Sequence, residues 1–165
     1  MALVVEDGTG KADATTFASV ADFKAFAQAR GVTPPDNSKC EVFLTLAWDA
    51  MRDLQYKGSR YSKTQAGPFP RTDVVIDGFC FDADDIPPVV TQGQCALAME
   101  AMKTDLLPTI TANVTGALIE RTVGPITKRW ADSGRTNTRP LIQKAKVFLS
   151  DVLAGTSNNI PLRRA

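Results

Sequence analysis

The stretch Ser19-Val20-Ala21-Asp22-Phe23-Lys24-Ala25-Phe26-Ala27-Gln28-Ala29-Arg30-Gly31 carries the clearest structural signal in the chain. Ser19 can cap the free N–H groups of a first helical turn, and Asp22 three residues later favours the positive end of the helix dipole. Val20, Phe23, Phe26 and Ala27 fall on one face at helical spacing. Gly31 is placed to end the helix, and Pro34-Pro35 prevents its continuation. The chain therefore declares itself helical from this point, and the flanking sequence can be read outward from it.

Downstream, Ser38 and Glu41 have the spacing of a capping box for a second helix. Val42, Phe43, Leu46, Ala47, Ala50, Met51 and Leu54 make a broad apolar face, with Trp48 and Asp49 toward its edges. Residues 55–87 are rich in Gly and Pro and read as loop, packed on itself or functional. The acidic run Asp82, Asp84 and Asp85 lacks calcium-loop spacing, and Asp84 or Asp85 is expected to cap the next helix. That helix begins at Pro87-Pro88, and Gly93 with the alanines suits close packing against another helix. Leu118–Val123 and Ile126–Trp130, joined by Gly124-Pro125, read as a β-hairpin near 115–131. Pro140 opens a last helix with Ile142, Ala145, Phe148, Leu149 and Val152 apolar, ended by Gly155. Residues 156–165 form an extended C-terminal tail that cannot bury a core alone. The expected fold is mainly α: a bundle of about four helices with a short β-hairpin, one domain over 1–155, and the tail.

Upstream, Asp7-Gly8-Thr9-Gly10-Lys11 resembles a phosphate loop only superficially. A Walker loop needs four residues between its glycines, then Lys and Ser or Thr. Here the glycines are two apart and Ala12 follows Lys11. The acidic start lacks the basic and apolar parts of a secretion signal, so synthesis in a cytoplasm is expected. No window approaches the roughly 18 consecutive apolar residues of a membrane span.

Composition narrows the chemistry. The 165 residues contain no histidine, which removes the commonest general base and metal ligand. Cys40, Cys80 and Cys95 are odd in number, widely spaced and without a CxxC pair. Cys40 and Cys95 fall in expected helices and read as small core residues. No nucleophile–base pair or ligand cluster can be assembled, so neither an enzyme nor a cofactor is expected. The net charge of +1 hides a split. Residues 1–120 hold ten Lys and Arg against sixteen Asp and Glu, a balance of −6, whereas 121–165 hold nine against two, a balance of +7. Such a split suggests a basic segment with an acidic partner: nucleic acid, another copy or another protein.

The segment "ALVVEDGTGKADATTFASVADFKAFAQARG" (2–31) resembles the start of a phage protein family labelled "DnaT-like" or "head–tail adaptor". The resemblance continues through the second helix, through "YKGSRYSKTQAGPFPRTDVVIDGF" (56–79), "DDIPPVVTQGQCALAMEAM" (84–102) and "ERTVGPITKRWADSG" (120–134), in order over roughly residues 2–153. Phe69 stands where the family usually has Trp, and residues 135–165 depart from its pattern. The resemblance implies a structural virion protein of the phage neck, made in the host cytoplasm. It would form a ring, expected to be a dodecamer, that docks on the portal, extends the channel through which double-stranded DNA passes, and meets a distal neck or tail protein. No membrane partner is expected. Ile160, Leu162, Arg163 and Arg164 suit docking on the portal: apolar anchors bury and arginine forks pair with carboxylates. Lys128, Arg129, Trp130, Arg135 and Arg139 are the candidates for contacts between copies or with the channel. The alternative is a single-stranded DNA-binding module, for which Trp130 beside Lys128 and Arg129 is the one plausible stacking platform.

Overall fold

A computed structural model describes residues 3–107, 120–123, 126–129 and 143–154. It is helix-led, with α1 (Val20–Gln28), α2 (Asn37–Arg52), α3 (Pro88–Ala101) and α4 (Gln143–Leu149). Short strands fill part of the sequence between α2 and α3: β1 (Ser59–Arg60), β2 (Arg71–Thr72), β3 (Val75–Ile76) and β4 (Phe79–Cys80). Two further strands, β5 (Glu120–Val123) and β6 (Ile126–Arg129), follow α3. All three strand pairs, β1–β2, β3–β4 and β5–β6, are antiparallel. The chain divides into two units, Met1–Leu106 with Ile142–Ala165, and Leu107–Leu141.

The start of α1 is as the sequence indicates. The Ser19 hydroxyl accepts from Asp22 N at 3.1 Å, and the Asp22 carboxylate accepts from Ser19 N at 3.0 Å, a reciprocal capping box. Its end is a Schellman turn. Val32 N donates to Ala27 O and Gly31 N to Gln28 O, with Gly31 at φ +70°.

The second helix departs from the expected register. Its cap is Asp36, whose carboxylate accepts from Lys39 N at 2.9 Å, so Ser38 lies inside the first turn. That backbone hydrogen bond is the main reason the Asp36 carboxyl sits below its usual range. The buried residues are Cys40, Leu44, Ala47, Trp48, Ala50 and Met51, of which Ala47, Ala50 and Met51 belong to the expected face. Val42 and Leu46, expected inside, are 55% and 41% exposed. Both sets repeat at helical spacing, and packing against α3 and the N-terminal loop selects the one that holds Trp48.

α3 packs on α1, α2 and α4 and forms the centre of the first unit. Pro88 occupies its first turn, where a missing N–H costs least. Neither Asp84 nor Asp85 caps it; Pro87 is the N-cap residue and no side chain fills the role. Gly93 lets α4 approach: a Cβ there would lie 2.4 Å from Leu149 Cδ2. Cys40 and Cys95 are buried in α2 and α3, as expected of core residues. Phe23, Leu44, Met51, Phe69 and Leu97 are nearly inaccessible, each stabilising by about 1.5–3 kcal/mol through burial. α4 is shorter than its apolar pattern, but Ala145, Leu149 and Val152 are buried as expected. The chain after it is tied to the loop after α2 by Lys57 N to Val152 O (2.9 Å) and Ala154 N to Gln55 O (3.0 Å).

In the second unit, β5 and β6 pair in the register Glu120↔Arg129 to Val123↔Ile126, which places the expected hairpin at 120–129.

Candidate functional site

The polar residues closest to looking catalytic or ligand-binding are committed to the protein's own backbone. Glu6 is buried, and its carboxylate accepts from three amides: Gly8 N at 3.0 Å, Gly10 N at 2.9 Å and Lys11 N at 2.8 Å. Convergent N–H groups of this kind can cradle an anion. Here the anion is Glu6 itself, which gives a structural reason for rejecting the Gly8–Lys11 loop as a phosphate site. Asp7 and Lys11 form an ion pair at 2.9 Å on its rim. Hydrogen bonds from the Thr9 and Lys11 side chains hold the Asp7 carboxyl well below its usual range.

Gln94, fully buried in α3, performs the equivalent task in the core. Its Oε1 accepts from Phe17 N at 2.7 Å and Ala18 N at 3.0 Å, and its Nε2 donates to Leu44 O at 3.0 Å. One side chain thus joins the N-terminal loop, α2 and α3. Gln65 does the same for the Tyr61–Pro70 loop: it accepts from Ser62 N and donates to Gly67 O and Pro70 O. The Arg71 guanidinium donates to the carbonyls of Lys57 (2.7 Å), Gly58 (2.7 Å), Pro68 (3.2 Å) and Tyr56 (3.4 Å). It fastens the two ends of that loop together. Partial burial draws its pKa down from the ordinary arginine value.

Four aromatic rings of this region are also internal, whereas Tyr61 is 49% exposed. Phe17 meets Trp48 at 4.6 Å and Phe69 at 6.4 Å between ring centroids, and Phe69 meets Tyr56 edge-on at 5.3 Å. Phe69, at the position where Trp is usual in the resembling family, is fully buried. Gly67 lies directly against the Trp48 ring, where a Cβ would come within 2.4 Å. The Tyr56 hydroxyl donates to Met51 O, and burial raises its pKa. None of these four rings offers a face to a nucleotide base.

The loop region presents the β3–β4 hairpin outward, as it does Arg60, Tyr61 and Lys63. Asp77 and Gly78 have φ of +50° and +85°, the signature of a type I′ turn. Ile76 pairs with Phe79 and Val75 with Cys80, and Phe81 N extends the ladder to Val74 O at 3.0 Å. Phe79 is 74% exposed and Val75 43%. Asp73, Asp77, Asp82, Asp84 and Asp85 are exposed around them. An exposed aromatic on an ordered hairpin, with exposed aspartates close in sequence, can receive an apolar and basic protein surface. The hairpin lies in the segment expected to be loop, although Asp77-Gly78 between apolar triplets is a strong short-range hairpin signal.

Of the residues singled out from sequence, Lys128 and Arg129 lie on β6, opposite Arg121 and Glu120. Trp130, Arg135, Arg139, Ile160, Leu162, Arg163 and Arg164 lie outside the described residues, as does the tail 156–165. Among the described residues no cluster of three or more Cys, Asp or Glu could hold a metal, and no helix is long and apolar enough to cross a membrane.

These features define a small helix-led protein with an internally braced loop face and one projecting apolar hairpin. The chain belongs to the family described as "Putative DnaT-like ssDNA binding protein", whose model matches residues 1–165. No curated protein and no solved structure matches it.

Proposed function

We propose that this chain is a structural assembly protein of the neck of a tailed phage and not an enzyme. In this reading copies form a ring that docks on the portal, extends the DNA channel and joins head to tail in the virion. The observation that carries it is the surface of the helical body. The Phe17, Trp48, Tyr56 and Phe69 rings are internal, the Glu6, Gln65 and Gln94 side chains are matched by backbone, and Phe79 stands exposed on a hairpin whose neighbouring aspartates are exposed too. Such a surface favours a protein partner over a phosphate backbone. The charge split supplies the complement, because residues 121–165 carry a balance of +7. Oppositely charged faces on successive copies favour head-to-tail closure, and modest contacts gain strength through repetition around a ring. The docking segment on the portal is the tail, through Ile160, Leu162, Arg163 and Arg164, and the distal face of the ring meets the next neck or tail protein.

Native mass spectrometry of the purified chain mixed with the portal of the same phage tests this. A portal complex carrying a ring of copies is expected, and deletion of residues 156–165 should weaken it without changing helical circular dichroism. No association would overturn the reading.

The family description favours a second reading, a single-stranded DNA-binding module. That reading requires tight affinity for a single-stranded oligonucleotide, falling steeply with salt as counterion release demands.

A further inference from the structure

We propose that the β3–β4 hairpin is the docking surface for the basic segment 121–139 of a second copy of this chain. The proposal rests on the assembly reading above and gives the contact between copies its acceptor side.

Three observations converge on it. First, the hairpin is ordered by its own turn and ladder, so it presents Phe79 without needing a partner to shape it. An aromatic ring 74% exposed on a fixed hairpin is the kind of anchor that dominates protein interfaces. Second, its surroundings are of one sign. Residues 72–102 contain Asp73, Asp77, Asp82, Asp84, Asp85 and Glu100 and no Lys or Arg. Third, the complementary chemistry is in the same chain. Residues 121–139 contain Arg121, Lys128, Arg129, Arg135 and Arg139 against a single acid, Asp132, together with Trp130. Arginine and tryptophan suit this hairpin twice over: guanidinium groups pair with carboxylates and stack on an aromatic face, and Trp130 adds apolar area opposite Phe79. A single-stranded nucleic acid would offer stacking bases but bring phosphates toward five exposed aspartates.

The test replaces Phe79 by the photoreactive p-benzoylphenylalanine in the full chain. Isotope-labelled and unlabelled chains are mixed, irradiated and digested, and cross-linked peptides are mapped by mass spectrometry. Mixed labelled–unlabelled links from position 79 into residues 121–139 are expected, with a yield that falls as salt rises. Neutralising Asp82, Asp84 and Asp85 to Asn should reduce that yield by about threefold or more, from typical exposed charge pairs. Phe79→Ser should leave circular dichroism and melting temperature unchanged. Links confined to one copy, links into residues 3–107, links to an added single-stranded oligonucleotide, or no mixed links would each overturn the proposal. Its failure is separable from that of the assembly reading. A portal complex without these links removes the hairpin alone, whereas mixed links without a portal complex keep the copy-to-copy contact and remove the neck assignment.

Discussion

Replacing Gln94 by leucine should destabilise the chain far more than its similar size suggests. The side chain is fully buried and joins three segments that are distant in sequence. Leucine fills comparable volume but accepts no hydrogen bond. The Phe17 amide would then face an apolar group. The Ala18 amide would keep only Thr16 Oγ1, at 3.2 Å. Leu44 O, inside α2, would keep its place in the helix ladder. A buried amide left without an acceptor costs about 1–3 kcal/mol. One amide orphaned and one weakened give roughly 2–4 kcal/mol, a large part of the ~5–15 kcal/mol that holds a domain folded. For a chain of this size the melting temperature should fall by about 10 °C, at ~2–4 °C per kcal/mol. Urea titration followed by circular dichroism reads this as a lower midpoint at unchanged slope. Gln92→Leu is the control, being the same change two residues earlier on the exposed side of α3. It should stay within about 0.5 kcal/mol of the parent. If Gln94→Leu also does so, the idea that one glutamine fastens the N-terminal loop to the helices is wrong.

Further perturbations probe other parts of the same unit. Gly93→Ala should cost about 1–3 kcal/mol in urea titration, because the new Cβ meets Leu149 at 2.4 Å. Adding Leu149→Ala should cost less in that background than alone, a coupling visible in a double-mutant cycle. Gly8→Ala should cost about 2 kcal/mol or more: its φ of +102° strains an L-residue and its Cβ would fall 1.8 Å from Asp84 O. Amide exchange of residues 8–11 should accelerate in that variant. Stability should also decline in alkali. Burial pushes the Cys95 thiol up to about 12 from 9.0, so above pH 9 the unfolded chain loses a proton that the folded chain keeps. The loss approaches about 1.4 kcal/mol per pH unit between those values. Urea midpoints from pH 8 to 10 should show a shallower decline for Cys95→Ala than for the parent.

Local signals were legible in the sequence, and choices made by distant neighbours were not. The Ser19–Asp22 box, the Gly31 stop and the Pro88 start each depend on residues within one turn, and each stands where the sequence puts it. The β5–β6 pairing is likewise local. The face of α2 is not, because Val42–Leu46 and Leu44–Trp48 both satisfy helical spacing. Only the Phe17 ring, Gly67 and the Gln94 contact to Leu44 O decide between them, and these lie 23 or more residues away from Leu44 in the chain. Ser38 has the capping-box spacing, but Asp36, immediately after the Pro34-Pro35 break, takes the cap. Gln94, Gln65 and Glu6 carried no readable signal, since a buried amide or carboxylate is recognised only by the backbone it serves. Asp77-Gly78 did carry a signal, and the apolar tip it builds is the part of the candidate site that sequence reading passed over.

That pattern bears on how this surface can work. Glu6 holds the N-terminal loop, Arg71 and Gln65 hold the Tyr61–Pro70 loop, and Gln94 holds both helices to the chain start. A loop region braced so fully from within does not need a ligand to order it, and its polar groups are already matched. In the proposed docking, recognition falls to Phe79 and the neighbouring exposed carboxylates, which the bracing leaves outward. Apolar anchor and negative rim divide the work in the usual way. The ring supplies affinity by leaving water, and the carboxylates set register and repel the wrong partner. For the docking proposed above, a basic segment bearing tryptophan and arginine is the matching partner. The same chain carries such a segment at 121–139, and a surface and its complement on one sequence are the minimum that head-to-tail assembly requires.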